Sequence, residues 1–330
     1  MFKKLNFILV IAVSFFISCH VVKKTPTSIT NDGTKTDQFF IRLFKKYPEY
    51  FKDVISRKDD LNIQIIYTQV DRDKNNFPNL TNYYFNVNPN KYFYPASTVK
   101  LSIAALALQR LNELKNIGIS KNTTMLTDSA YSGQTPVYSD STAPDQKPTN
   151  AHYIKKIFLV SDNDAFNRLY EFLGQGYINE NLHKKGYTSA QVLHRLDIFL
   201  NEDENRHTNP VKFLSDNDQV LYQQPMAFNQ ANYDVRNDSL GKAHQQGNEL
   251  INMSMNFSKK NRIVLEDLHN ILRSIIFPHT VSPAQRFNLT EEDYAFMYHY
   301  MSQFPSENFI SFLRLNKLSG CLRKVFNVRK

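Results

Sequence analysis

From Asp37 to Ile55 the apolar residues Phe39, Phe40, Leu43, Phe44, Tyr47, Phe51, Val54 and Ile55 recur at helical spacing, with Pro48 as a break inside the run. Alternation takes over next. Ile63, Ile65 and Tyr67 within Asn62–Val70 predict a strand, Asp71–Asn79 a turn, and Thr81–Val87 the returning strand. Lys100–Leu114 then carries apolar residues on nearly every side, the pattern of a helix buried all round. The stretch Asn122–Asn150 is rich in Ser, Thr, Pro, Asp and Gly and predicts irregular chain. Ile154–Phe172 is helical in pattern but interrupted at Ser161-Asp162-Asn163-Asp164. After polar ground from Asn201 to Gly247, Val264–Ile276 and Glu291–Met301 predict further helices. An early strand pair followed by runs of helix predicts an α+β fold, with a helical subdomain packed against an antiparallel sheet.

The two ends differ from this body. Lys3 and Lys4 precede an apolar run, Phe7–Ile17, that is shorter than the roughly 20 residues needed to span a bilayer. With Ile17-Ser18-Cys19 it reads as an export signal (1–18) cut before a lipid-bearing Cys19, although an ordinary signal with a cysteine at its cleavage site fits too. Polar residues follow, so 19–36 is expected to be a flexible tether and 37–307 the folded domain. These features predict a monomer in the cell envelope, lipid-anchored to a membrane and facing the periplasm or the surface.

Composition narrows the chemistry. The chain has 330 residues, enough for a sizeable core, and only two cysteines, so a lipidated Cys19 leaves no internal disulfide. No CxxC motif and no helically spaced His pair appears, and nine glycines leave little from which to build a phosphate loop. No metal and no cofactor are therefore expected. The net charge of +9 gathers at the two ends, while acids and bases are interspersed between them, which argues against a nucleic-acid partner.

Ser97-Thr98-Val99-Lys100 opens the buried helix. Residues three apart share a helix face, so the Lys100 amine can reach the Ser97 hydroxyl. Partial burial would favour the neutral amine that accepts the serine proton, and the helix start supplies positive potential. The same spacing occurs at Ser239–Lys242, but in a polar region and beside Gly241, without an apolar run behind it. Ser161-Asp162-Asn163 falls between two apolar helical runs, where a hydroxyl can relay a proton and an amide can bind a carbonyl or a lysine. It can equally be a helix cap, and Ser215-Asp216-Asn217 repeats the triplet in a polar loop.

Taken together, Tyr94–Lys100 and Val160–Asn167 resemble the class A β-lactamases and related periplasmic serine hydrolases, whose motif set is SxxK, SDN and KTG. The run Asn256–Asn261, continuing through Leu265–His269, resembles a lipoprotein branch of these proteins. The resemblance implies a helical domain beside an antiparallel sheet flanked by helices. It further implies that Ser97 is the acylated nucleophile, Lys100 its base, Ser161 the proton shuttle and Asn163 a substrate contact. The expected substrate is a β-lactam or a peptidoglycan-derived peptide. A catalytically impaired cell-wall peptide-binding protein and a D-alanyl-D-alanine peptidase relative are the alternatives.

Two departures stand out. Arg195-Leu196-Asp197 and Thr208-Asn209-Pro210 resemble the start and end of the loop that carries a water-activating glutamate, yet Leu200 falls at that glutamate's place. Glu202 is the displaced candidate, and a surface carboxylate is its plain alternative. The third motif has only an imperfect counterpart, Lys317-Leu318-Ser319-Gly320, inside a divergent basic tail, 308–330. The expectation is a chain truncated or frame-shifted, with C-terminal strands missing; a naturally shorter relative is the other reading.

Overall fold

The computed structural model describes residues 26–304. The signal segment, Cys19 and the tail with Lys317–Gly320 lie outside the described residues.

The polar segment expected to be a tether is, in its described part, a hairpin: β1 (Thr27–Ile29) pairs antiparallel with β2 (Lys35–Asp37). Its turn is closed locally. Asp32 accepts from the Thr34 N–H at 3.1 Å, and Gly33 takes a φ of 84° that a side chain would resist. Lys35 bridges to Val87, so the hairpin is held to the strand pair that follows.

The Asp37–Ile55 run forms two helices, α1 (Gln38–Lys46) and α2 (Pro48–Ser56), with Pro48 opening the second, where its missing N–H costs nothing. Next come β3 (Ile65–Arg72) and β4 (Pro78–Phe85), an antiparallel pair in register from Ile65↔Phe85 to Arg72↔Pro78. Alternation sorts their side chains. Ile63 and Ile65 pack with Phe40, Tyr83 and Phe85 under α1, while Thr68 on the opposite face bonds His269 at 2.7 Å. Among the described residues β3 has no strand on its outer edge.

The main core is helical. α3 (Val99–Glu113) runs through its middle, with Ile103 to Leu108 essentially without solvent contact. Around it pack α4 (Asn150–Val160), α5 (Asn163–Leu173) and α6 (Gln175–Lys184). The stretch 122–150 is irregular except for β5 (Thr124–Thr127). Further along lie the short α7 (Glu202–Arg206), β6 (His207–Thr208), β7 (Val211–Leu214) and β8 (Val220–Gln224); β5, β7 and β8 make a small three-stranded sheet. α8 (Leu265–Ile276) and α9 (Glu291–Ser302) close the described chain, and α9 begins with a capping box between Thr290 and Asp293. The architecture is α+β, with helices packed against antiparallel sheets. No helix among the described residues is long and apolar enough to cross a membrane.

Candidate active site

The segment that presents Ser97 is anchored before the helix begins. The Tyr92 hydroxyl donates to the Asn261 carbonyl at 2.9 Å, and the Tyr94 ring stacks parallel to His194 and leans on Phe257. The Asn256–Asn261 run is thus a buttress for the segment that presents Ser97. Pro95 then fixes a turn closed by the Thr98 N–H on its carbonyl at 3.0 Å. Ala96 takes a φ of 45°, a left-handed conformation that is costly for a residue with a Cβ. The outcome is a 3-10 turn, Ala96–Thr98, that runs into α3 with Ser97 exposed and Lys100 only 2% exposed beneath it.

Lys100 is the hub. Its Nζ lies within hydrogen-bond reach of both hydroxyls, 3.2 Å from Ser97 Oγ and 3.1 Å from Ser161 Oγ. Two shorter bonds, each 2.6 Å, go to the Ser161 carbonyl and to Asn163 Oδ1. The two serines and the asparagine expected from the two motifs are therefore brought together on a single amine.

The corner that makes this possible is the SDN triplet itself. Ser161 ends α4 in the left-handed region (φ 50°, ψ 46°), which turns its carbonyl towards Lys100. Asp162 is the N-cap of α5, its carboxylate accepting from the Ala165 N–H at 2.8 Å. Both readings of the triplet hold at once: Asp162 caps a helix, while Ser161 and Asn163 hold the lysine. The look-alike motifs are elsewhere. Ser239 lies in a two-residue strand on the exposed side, and Ser215 closes a surface turn by accepting from the Gln219 N–H.

A cleft of about 520 Å³ opens beside these groups. Ser97, Lys100 and Ser161 form its polar end. The remainder is walled by Ile157 and Phe158 of α4 and by Leu265, Leu268 and Leu272 of α8. Sequence reasoning did not assign α8 to the site. Its signal was an apolar stripe too wide for one face: Ile271 and Ile275 enter the core, leaving 265, 268 and 272 over.

Glu202 is not part of this cleft. It lines a separate cavity with Leu200 and His194, forms ion pairs with Arg206 and Lys259, and is held below the usual carboxylate range chiefly by its bond from Lys259. Leu200 lies in that second cavity too. The loop between Arg195 and Asn209 is pinned to α5. Arg195 pairs with buried Glu171 at 3.0 Å and donates to the carbonyls of Glu204 and His207, while Asn167 bonds both the N–H and the carbonyl of Leu196. Among the described residues no cluster of His, Cys, Asp or Glu is placed to hold a metal ion.

An α+β scaffold that gathers an SxxK serine and lysine and an SDN corner at one helix start is β-lactamase-like. The chain belongs to the Beta-lactamase enzyme family, whose model matches residues 47–311. Among solved structures, it is similar to the chromosome-encoded β-lactamase of Vibrio parahaemolyticus: 13% identity, 77% of this chain and 70% of that chain covered, TM-score 0.42. A β-lactamase from Burkholderia ambifaria is similar at 14% identity over 76% of this chain and 69% of that one, with a TM-score of 0.37. No curated protein matches the chain.

Proposed function

We propose that the chain is a serine hydrolase, acylated at Ser97, that opens β-lactam amide bonds. The observation that carries this reading is the four-way contact at Lys100. Its two short bonds go to obligate acceptors, a carbonyl and an amide oxygen, and use two N–H groups. The two longer contacts go to hydroxyls, which can donate as well as accept. A neutral amine in this position keeps its lone pair for the Ser97 proton. Ser97 Oγ then bonds to the substrate carbonyl carbon, and Ser161 Oγ, on the same amine, passes a proton to the leaving nitrogen.

Mixing the protein with a penicillin and weighing it tests this directly. The expected result is a mass increase of one intact penicillin, located on the peptide that contains Ser97 and lost in Ser97→Ala. Lys100→Ala should slow acylation by about 10²- to 10⁴-fold, the ordinary contribution of a positioned base. An unmodified wild-type protein would overturn the proposal.

One observation favours a slower, binding-like behaviour. No carboxylate among the described residues lines the cleft, so no glutamate or aspartate stands beside the ester to activate water and its hydrolysis falls to the weaker help of the groups already there. We further propose that the protein acts at the cell envelope, held there through Cys19; the basic and apolar N-terminal segment supports this.

A further inference from the structure

The wall of the cleft is hydrocarbon on three sides. α4 contributes Ile157 and Phe158, α8 contributes Leu265, Leu268 and Leu272, and β3 contributes Ile66. Its volume, about 520 Å³, is in the range of sites that enclose small organic ligands. The reactive end is at the mouth, where Ser97 and Ser161 are exposed, and His269, the other titratable group in the wall, is already bonded to Thr68. A substrate whose carbonyl lies against Ser97 therefore has its acyl side facing hydrocarbon.

We propose that the protein is also a carboxylesterase for uncharged esters with a hydrocarbon acyl chain, the chain lying between α4 and α8. This rests on the reading of Ser97 as nucleophile. In the first step the Ser97 Oγ–carbon bond forms and the ester carbon–oxygen bond breaks. The serine proton goes to Lys100, and a proton passes through Ser161 to the departing alcohol. Water then adds to the acyl-serine, the Oγ–carbon bond breaks, and the free acid leaves as Ser97 regains its proton.

The energetics give a graded signature. Each methylene moved from water into an apolar wall is worth about 0.8 kcal/mol, or about fourfold in rate when it is buried in the transition state. The experiment uses the full chain and the p-nitrophenyl esters of acetic, butyric and hexanoic acids. The expected result is a kcat/KM that climbs by about two- to fourfold per methylene and is abolished in Ser97→Ala. Leu272 is 41% exposed on the cleft rim, so Leu272→Asp should fold, and it should lower the hexanoate rate at least threefold more than the acetate rate, flattening the chain-length series. A flat or falling series, with penicillin still labelling Ser97, would overturn the esterase and leave the nucleophile standing. Failure of penicillin and of every ester to modify Ser97 would sink both.

Discussion

His194 is neutral where it lies. Its Nδ1–H donates to the Arg195 carbonyl at 2.5 Å, its Nε2 is buried with no hydrogen-bond partner among the described residues, and Tyr94 covers one face. Burial pushes its pKa down from 6.5 to about 4. An unfolded chain binds a proton here below pH 6.5 and the folded chain does not, so the full stability is present above 6.5 and is lost as pH falls towards 4. The difference amounts to about 3 kcal/mol. Urea unfolding across that window should show the loss, and His194→Gln should flatten it. Glu202 supports a second prediction on the same scale. Its carboxylate is engaged by Arg206 and Lys259, away from the cleft, so Glu202→Gln should leave release of the hydrolysed penicillin unchanged within about twofold. A marked slowing, read by the lifetime of the acylated mass, would restore it as the displaced base. Sequence alone could not separate these outcomes, because three acids in a row at 202–204 look the same whether or not cations surround them.

Between elements, one tie in the neighbourhood of the site is the buried group of Glu171, Arg168 and Arg195 that joins α5 to the loop between Arg195 and Asn209. Both Arg195 and Glu171 are about 2% exposed. Arg195→Ala leaves the buried Glu171 carboxylate to Arg168 alone and frees the carbonyls of residues 204 and 207, which should cost about 3 kcal/mol in chemical unfolding. The helices themselves were legible. Hydrophobic periodicity marked out α1, α3, α4, α5, α8 and α9, and Pro48 marked the α1–α2 break. The β1–β2 hairpin was not, since Thr27–Ile29 and Lys35–Asp37 are short and mostly polar; their order comes from the Asp32 turn and from the distant Val87. The role of α8 was hidden for a different reason. A helix that feeds both a core and a cleft shows one broad stripe, and nothing local tells which leucine faces which.

At the scale of the whole molecule, the fold class followed from element order, while the site followed from context. Two SxxK strings and two SDN strings occur, and only the pair flanked by apolar helical runs converges, because only a buried helix can hold a lysine at 2% exposure beside an exposed serine. What remained illegible was the second wall of the cleft, which depends on α8 arriving from far along the chain. The family match over residues 47–311 spans most of the helices and both strands of the β3–β4 pair.

One corner ties these scales together. Because Ser161 closes one helix and Asp162 opens the next, the reach of the amine at position 100 is set by how tightly two helices are wound against each other at a single joint. Chemistry and cohesion then share one hinge. A disturbance that slackens the joint moves the amine off its carbonyl without unravelling either helix, so the acylation proposed at Ser97 would be lost from a protein that still looked intact.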